Sequence, residues 1–250
     1  MRRPFARGVL LLALASALPL APANAAAPAS AQGQIHFDVH YGSQGFKVGE
    51  ARHDWTLEGE RYALVLALQA KGLAGLFGLD YEQRSSGRID AQGMRPELFE
   101  VEQRGRKLEQ ANFDWAAGRV SIRRGGEERR SAAIRAGDQD LLSLWHQARR
   151  VAESGKAAKF AVVTNKSLKQ ATLEPRGEER LELAAGTLDT VRLHAFAEQG
   201  ELDIDIWLSK RHGLLPVRIR ITDEKGGVLD QRASRIEPGS PAAIPATDKN

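Results

Sequence analysis

The sequence predicts a mainly β protein: an antiparallel, strongly curved sheet or open β-barrel with one principal α-helix packed on or in it. Three observations lead there. Apolar and polar residues alternate with a period of two in many short runs, such as "LDIDIWLS" (202–209) and "PVRIRI" (216–221), the pattern of a sheet dry on one face and wet on the other. Glycine-centred turns, among them "EGER", "RGRK", "RRGGEE", "AAGTLD" and "EKGG", separate these runs at short intervals, which leaves no room for helical crossovers and points to antiparallel pairing. A single segment, "AGDQDLLSLWHQARRVAESG" (136–155), carries helical periodicity instead.

The first strand opens with Ile35, Phe37, Val39 and Tyr41 on one side. "GSQG" turns the chain, and the return runs from Phe46 and Val48 through Trp55 and Leu57. Tyr62, Leu64, Leu66 and Leu68 line the next strand. Shorter alternating runs follow in "LFEVEQ", "ANFDW", "VSIRR" and "TVRLHAF". In the helical segment, Leu141, Leu144, Trp145, Ala148, Val151 and Ala152 fall within an arc of about 120° at 100° per residue. Asp138 is placed to cap its start, Asp140 to sit in its first turn, and Arg149 and Arg150 in its last. Gly155 is placed to end it. The helix divides the strands into two sets and is expected to cover or plug one curved sheet.

The N-terminus has the parts of a secretory signal. Arg2, Arg3 and Arg7 precede a short apolar run from Gly8 to Leu20, and Ala23-Asn24-Ala25 forms a small-x-small cleavage site. Residues 1–25 are therefore expected as a signal peptide, 26–33 as a flexible linker, 34–236 as one β-rich domain, and the Pro- and Ala-rich 237–250 as a disordered tail. The apolar run is too short to span a hydrocarbon core of roughly 30 Å, so the expected location is periplasmic or otherwise exported, with no integral membrane anchor after processing. Charge agrees. The 36 Lys and Arg against 32 Asp and Glu become 33 against 32 once the signal is removed, which argues against a nucleic-acid partner. With no cysteine, neither disulfides nor thiolate zinc can support the fold, and burial must.

Chemistry is harder to find. In "HFDVH", His36, Asp38 and His40 share a strand face, but His36 and His40 stand roughly 13 Å apart, too far to share one ion. Asp203 and Asp205 also share a face, opposite Leu202, Ile204 and Ile206, and read as wet neighbours in preference to an acid–base pair, whose members normally come from different strands. No serine elbow, thiol or phosphate-cradling glycine loop occurs. His146 lies off the helix's apolar arc, and His194 and His212 are isolated. No catalytic residue, metal ligand or cofactor is assigned.

One segment is unusual for a loop. "KGLAGLFGLDY" (71–81) is apolar, with three glycines and four large apolar residues. Loops normally face water, so this one either covers an end of the core or forms the mouth of a cavity.

Several segments together resemble an exported bacterial family, domain of unknown function 3108. They are "FDVHYGSQGFKVGEARHDWTLEGERYALVLAL", "SSGRIDAQGMRPELFEV", "ANFDW", "GDQDLLSL" and "IWLSKRHGLLPVRIRITDEKGGVLDQ". The likeness runs from about Ile35 to Ile236. It implies an exported β-rich protein and supplies no catalytic residue. The closing segment is also similar, over about 25 residues, to the ends of periplasmic lipoprotein carriers, which implies a half-barrel with an apolar concave face. From these follow two functional expectations. The first is a non-enzymatic protein that binds a lipid or the acyl part of a lipoprotein, with Leu73, Leu76 and Phe77 at the mouth and Trp207 inside. The second is a structural or interaction module of the cell envelope with a filled core and a protein partner. A hydrolase without a recognisable motif stands third.

Overall fold

The computed structural model describes residues 30–42, 44–71, 80–197, 202–223 and 225–239. Its strands are β1 (Ser30–Tyr41), β2 (Phe46–Glu58), β3 (Arg61–Ala70), β4 (Tyr81–Asp90), β5 (Gly93–Gln103), β6 (Glu109–Asp114), β7 (Arg119–Arg124), β8 (Glu127–Ala133) and β9 (Gln139–Asp140). The helix α1 (Ser143–Ser154) follows. Then come β10 (Ala158–Val163), β11 (Leu168–Leu183), β12 (Gly186–Ala197), β13 (Asp203–Ser209), β14 (Leu215–Thr222) and β15 (Val228–Pro238).

All fifteen strands belong to one sheet, ordered β8-β7-β6-β5-β4-β3-β2-β1-β15-β14-β13-β12-β11-β10-β9. Pairing is antiparallel throughout except between β9 and β10. The first described strand therefore lies in the middle of the sheet, since β1 pairs with both β2 and β15. The chain winds out to β8, crosses to β9 at the opposite edge, and winds back. Flat, such a sheet would be about 65 Å wide at roughly 4.8 Å per strand. Residues 134–138, which join the two edges, span about 20 Å at most. The sheet must therefore curl until its edges nearly meet, and side chains complete the seam where no main-chain ladder does. Asp138 accepts hydrogen bonds from the N–H groups of Arg135 (2.9 Å) and Ala161 (2.7 Å). Across the seam, Gln139 Nε2 of β9 donates to the Met94 carbonyl of β5 (2.8 Å) and the Ser85 hydroxyl of β4 donates to Asp140 (2.6 Å), while within the β5–β6 side Trp115 Nε1 donates to the Pro96 carbonyl (2.6 Å).

Curling gives each strand an inner and an outer face. Ile35, Phe37, Val39, Leu64, Leu66, Leu68, Phe99, Leu173, Leu193, Ile204, Ile206 and Ile219 all point inward and are at most 1% exposed. Against them α1 lays Leu144, Trp145, Ala148 and Val151, all buried. Leu141 and Ala152, also on the expected arc, are partly buried against the same core. The charged residues at the ends of the helix sit differently from the expectation, and its last turn holds neither Arg149 nor Arg150. Asp140, not Asp138, caps the helix: its Oδ1 accepts the N–H groups of Leu142 and Ser143, both at 2.8 Å. Arg150 reaches the Ala91 carbonyl (2.8 Å). At the other end Gly155, at φ 65°, sends its N–H to Val151 O, as a left-handed cap should.

Two boundaries move. Ser30 pairs with Glu58 at the start of β1, so residues 30–33 are strand residues although placed in the linker. β15 likewise continues through Pro238. Past the register shift at Pro175/Gly177, the β11–β12 hairpin extends as an arm. Its paired Leu181 and Leu188 are buried, and near its tip Ala185 N–H bonds to Ala233 O at 3.2 Å.

Candidate functional site

Of the four residues expected around an apolar ligand, Leu73, Leu76 and Phe77 lie outside the described residues. Trp207 is described, and it does not share a face with the inward residues of its strand. It shares its side of β13 with Asp203 and Asp205, opposite the inward Ile204, Ile206 and Leu208. Buried as part of the core cluster, its ring is covered by outer-face neighbours. The guanidinium carbons of Arg192 and Arg218 sit 5.1 and 4.4 Å from the centroid of its ring, and its indole N–H donates to Glu179 on the hairpin arm (2.7 Å). Two cations over a ring face, with the indole N–H satisfied, form a structural rivet.

The outer face around Trp207 is a ladder of ion pairs. Arg192 grips Asp205 through two bonds of 3.0 Å, and Arg218 grips Asp230 at 2.9 and 2.7 Å. Burial pushes the Asp230 carboxyl up, but Arg218 and Arg232 outweigh it and hold the group below the usual carboxylate range. His194, Asp203 and Asp205 converge closely enough to share a cation, with donor atoms within 4.8 Å of one another. Asp205, however, already holds a bidentate guanidinium, which a metal would have to displace. The first-strand histidines do not converge. His36 meets Gln34 and Arg235, while Asp38 meets Lys47.

Two polar clusters lie inside instead. Asp140 accepts the Ser85 hydroxyl (2.6 Å) as well as its two backbone donors, and Ser85 in turn lies 3.2 Å from the Tyr62 hydroxyl. Burial raises the Asp140 pKa to about 6 against these bonds. The second cluster joins His53 of β2 to His146 of α1, Nε2 to Nε2 at 2.8 Å, beside Trp55 and Trp145. His53 Nδ1 lies 3.1 Å from Val65 O, so that nitrogen carries the proton, and His146 donates the bond between the rings. Burial lowers both pKa values, that of His53 to about 4. No helical arc identifies His146, because its partner lies on a strand 93 residues away in sequence.

Accessible concavity occurs along the seam. A cavity of about 390 Å³ is lined by the β4–β5 turn (90–92), Met94, Arg95, Trp115 and the connector residues 134–137. A second depression, of about 530 Å³, shares Arg95 and Trp115 and adds Arg88, Glu97, Phe113 and Asp114. Phe113 and Trp115 stack at 5.8 Å, and Arg95 lies 5.1 Å from the Trp115 ring centroid. "NFDW" marks the aromatic pair in the sequence; Arg135 joins the same cavity because the end of β8 lies beside the β6–β7 turn, where Ile134 N–H bonds to Gly118 O at 2.9 Å.

These features define a class: a single antiparallel sheet curled into a barrel-like body around one helix. The chain belongs to the family described as "Protein of unknown function (DUF3108)", whose model matches residues 36–232. Among solved structures, it is similar to a β-barrel-like protein of the DUF1849 domain from Brucella abortus. That likeness has 11% identity, a TM-score of 0.52, and covers 85% of this chain and 99% of that one; at this identity it speaks for the fold alone. A "putative lipoprotein" from Parabacteroides distasonis aligns over 84% of this chain and 95% of its own at 8% identity, with a TM-score of 0.28, too low to carry an argument. Comparison with curated proteins yields no match.

Proposed function

We propose that this protein is an exported, non-enzymatic binding module of the bacterial cell envelope, whose curled sheet is a filled scaffold and whose partner is met at the surface. The carrying observation is the occupied concave face. Twelve large inward side chains of the strands and four of α1 bury one another there, and a shared packed core is how such layers gain stability. Strand addition at an edge is the less favourable mode of contact. β8 is exposed except at Ala132, carries Glu127, Glu128, Arg129 and Arg130, and pairs with β7 across a register shift at Ile122/Arg123. Charge and bulge both discourage pairing. β9 has two residues, both buried. Export is supported by the signal-like residues 1–25, and no helix among the described residues is long and apolar enough to cross a membrane.

A second reading, capture of an acyl chain, draws on one end of the body. Phe46 is 66% exposed and pairs with Tyr41, itself 41% exposed. This hairpin lies beside the end of β3, where Lys71 N–H bonds to Val48 O at 2.7 Å; residues 72–79 lie outside the described residues. Native mass spectrometry of the processed protein separates the two readings. The module should carry no stoichiometric lipid and leave a fluorescent fatty acid free. One acyl chain per protein would replace the first reading with the second.

A further inference from the structure

We propose that the seam cavity beside Trp115 binds a small organic anion, a carboxylate or phosphate ester with a short apolar group, through Arg95 and Arg135. This rests on the reading of the protein as a surface-binding module and gives that surface a place and a chemistry.

The argument begins with which charges are already engaged. Around the cavity, Asp90 accepts the Gln92 N–H (2.8 Å), Asp114 accepts that of Ala117 (2.9 Å), and Glu97 holds Arg88 at 3.0 Å. The acids are thus tied into turns or into a pair. Two cations are not. The carboxylate oxygen paired with Arg95 is that of Asp90, at 4.0 Å, the limit of an ion pair. Arg135 has one side-chain bond among the described residues, to Gln170 Oε1 at 3.3 Å. Each guanidinium carries five N–H donors in a fork suited to carboxylate or phosphate, so most of this donor capacity is unused. Arg135 also lines the adjoining depression.

The cavity's walls supply the rest. Met94, Trp115 and Ile134 offer apolar surface, and the volume is within the range of small-molecule sites. The frame is also held rigid. Gln147 bonds to Gln92 O and Met94 N–H, and Arg150 to Ala91 O, so the helix pins the β4–β5 turn. Asp138 pins the connector, Pro96 O fixes Trp115, and the Trp115 ring steadies Arg95. A site held this way loses little entropy on binding.

The test is calorimetric titration of the processed protein with hexanoate, hexyl phosphate and hexanol at low and high salt. At least one anion should bind and weaken as salt rises, and hexanol should not bind. Arg95→Gln and Arg135→Gln should each weaken binding about tenfold while the melting temperature stays unchanged, since both side chains are exposed. The preferred anion tells a carboxylate ligand from a phosphate one. No heat with either anion, equal binding of hexanol, or unaltered affinity in both variants would overturn the site. None of these results bears on whether the interior holds lipid, so the module reading stands or falls separately.

Discussion

His53 and His146 hold the helix to the sheet through one hydrogen bond between two neutral imidazoles, 2.8 Å from Nε2 to Nε2. The groups packed around the pair are Trp55 and Trp145, the Val65 carbonyl, and Asp54 as a neighbouring charge. Desolvation dominates, so the pair is stable only while uncharged. Its contribution is fully present above the unfolded pKa of 6.5 and is lost as pH falls towards about 4. For His53 alone that interval corresponds to about 3 kcal/mol. Melting temperatures measured from pH 7 to pH 4.5 should fall, and His53→Phe combined with His146→Leu should flatten the slope. A slope unchanged in the double variant would show that the pair is not the sensor.

Asp140 works in the opposite sense. Its folded pKa is raised to about 6 from 3.8, so its contribution is greatest below the unfolded value and is lost as pH rises through the folded one. Between about pH 4 and pH 6 it offsets part of the histidine loss. Asp140→Asn keeps an acceptor for the Leu142 and Ser143 N–H groups but cannot titrate. Acid unfolding of this variant should be steeper than that of the parent. Asp140→Ala should cost about 2 kcal/mol at neutral pH, because two backbone donors and the Ser85 hydroxyl lose their acceptor. Chemical denaturation at pH 7 and pH 5 measures both effects.

Local pattern carried the strands, the helix and their faces, because a period of two or of 3.6 depends only on neighbours in sequence. Val39 and Leu66 were legible as core for that reason, and so was Trp145. Closure was not legible. Nothing near Gln139 in the chain indicates that its amide will bond to Met94 O, or that Asp140 will accept the Ser85 hydroxyl of β4. Trp207 shows the same limit from another side. Its alternation with Ile206 and Leu208 already placed it on the outer face, but its size and apolarity argued for the interior. The answer depended on Arg192 and Arg218, from flanking strands, folding over its ring.

Gly93 marks where the helix docks on the β4–β5 turn. Its φ is +107°, and a Cβ there would stand 2.1 Å from Gln147 Oε1 and 2.7 Å from Arg150 Cδ. The backbone conformation calls for glycine, and a Cβ would also push aside the Gln147 amide that pins the turn. Gly93→Ala should destabilise by about 2–3 kcal/mol and should expose the turn, raising hydrogen exchange at Met94, whose N–H bonds to Gln147. Stability within 0.5 kcal/mol of the parent would mean that the turn and helix are not clamped together.

Trp207 separates a structural tryptophan from a ligand-contacting one. As an outer-face rivet beneath Arg192 and Arg218, it should contribute to stability and not to any binding in the interior. Trp207→Ala should cost about 3–5 kcal/mol, the range for removing a large buried aromatic. Trp207→Phe should keep most of the apolar contact but leave Glu179 without its indole donor, at a cost of about 1 kcal/mol. If the acyl-capture reading holds and a fatty acid binds, neither change should alter its affinity measured on protein that remains folded. Should Trp207→Phe instead weaken such binding tenfold at unchanged melting temperature, the side chain would have to face the ligand, and the outward orientation that β13 gives it would be wrong.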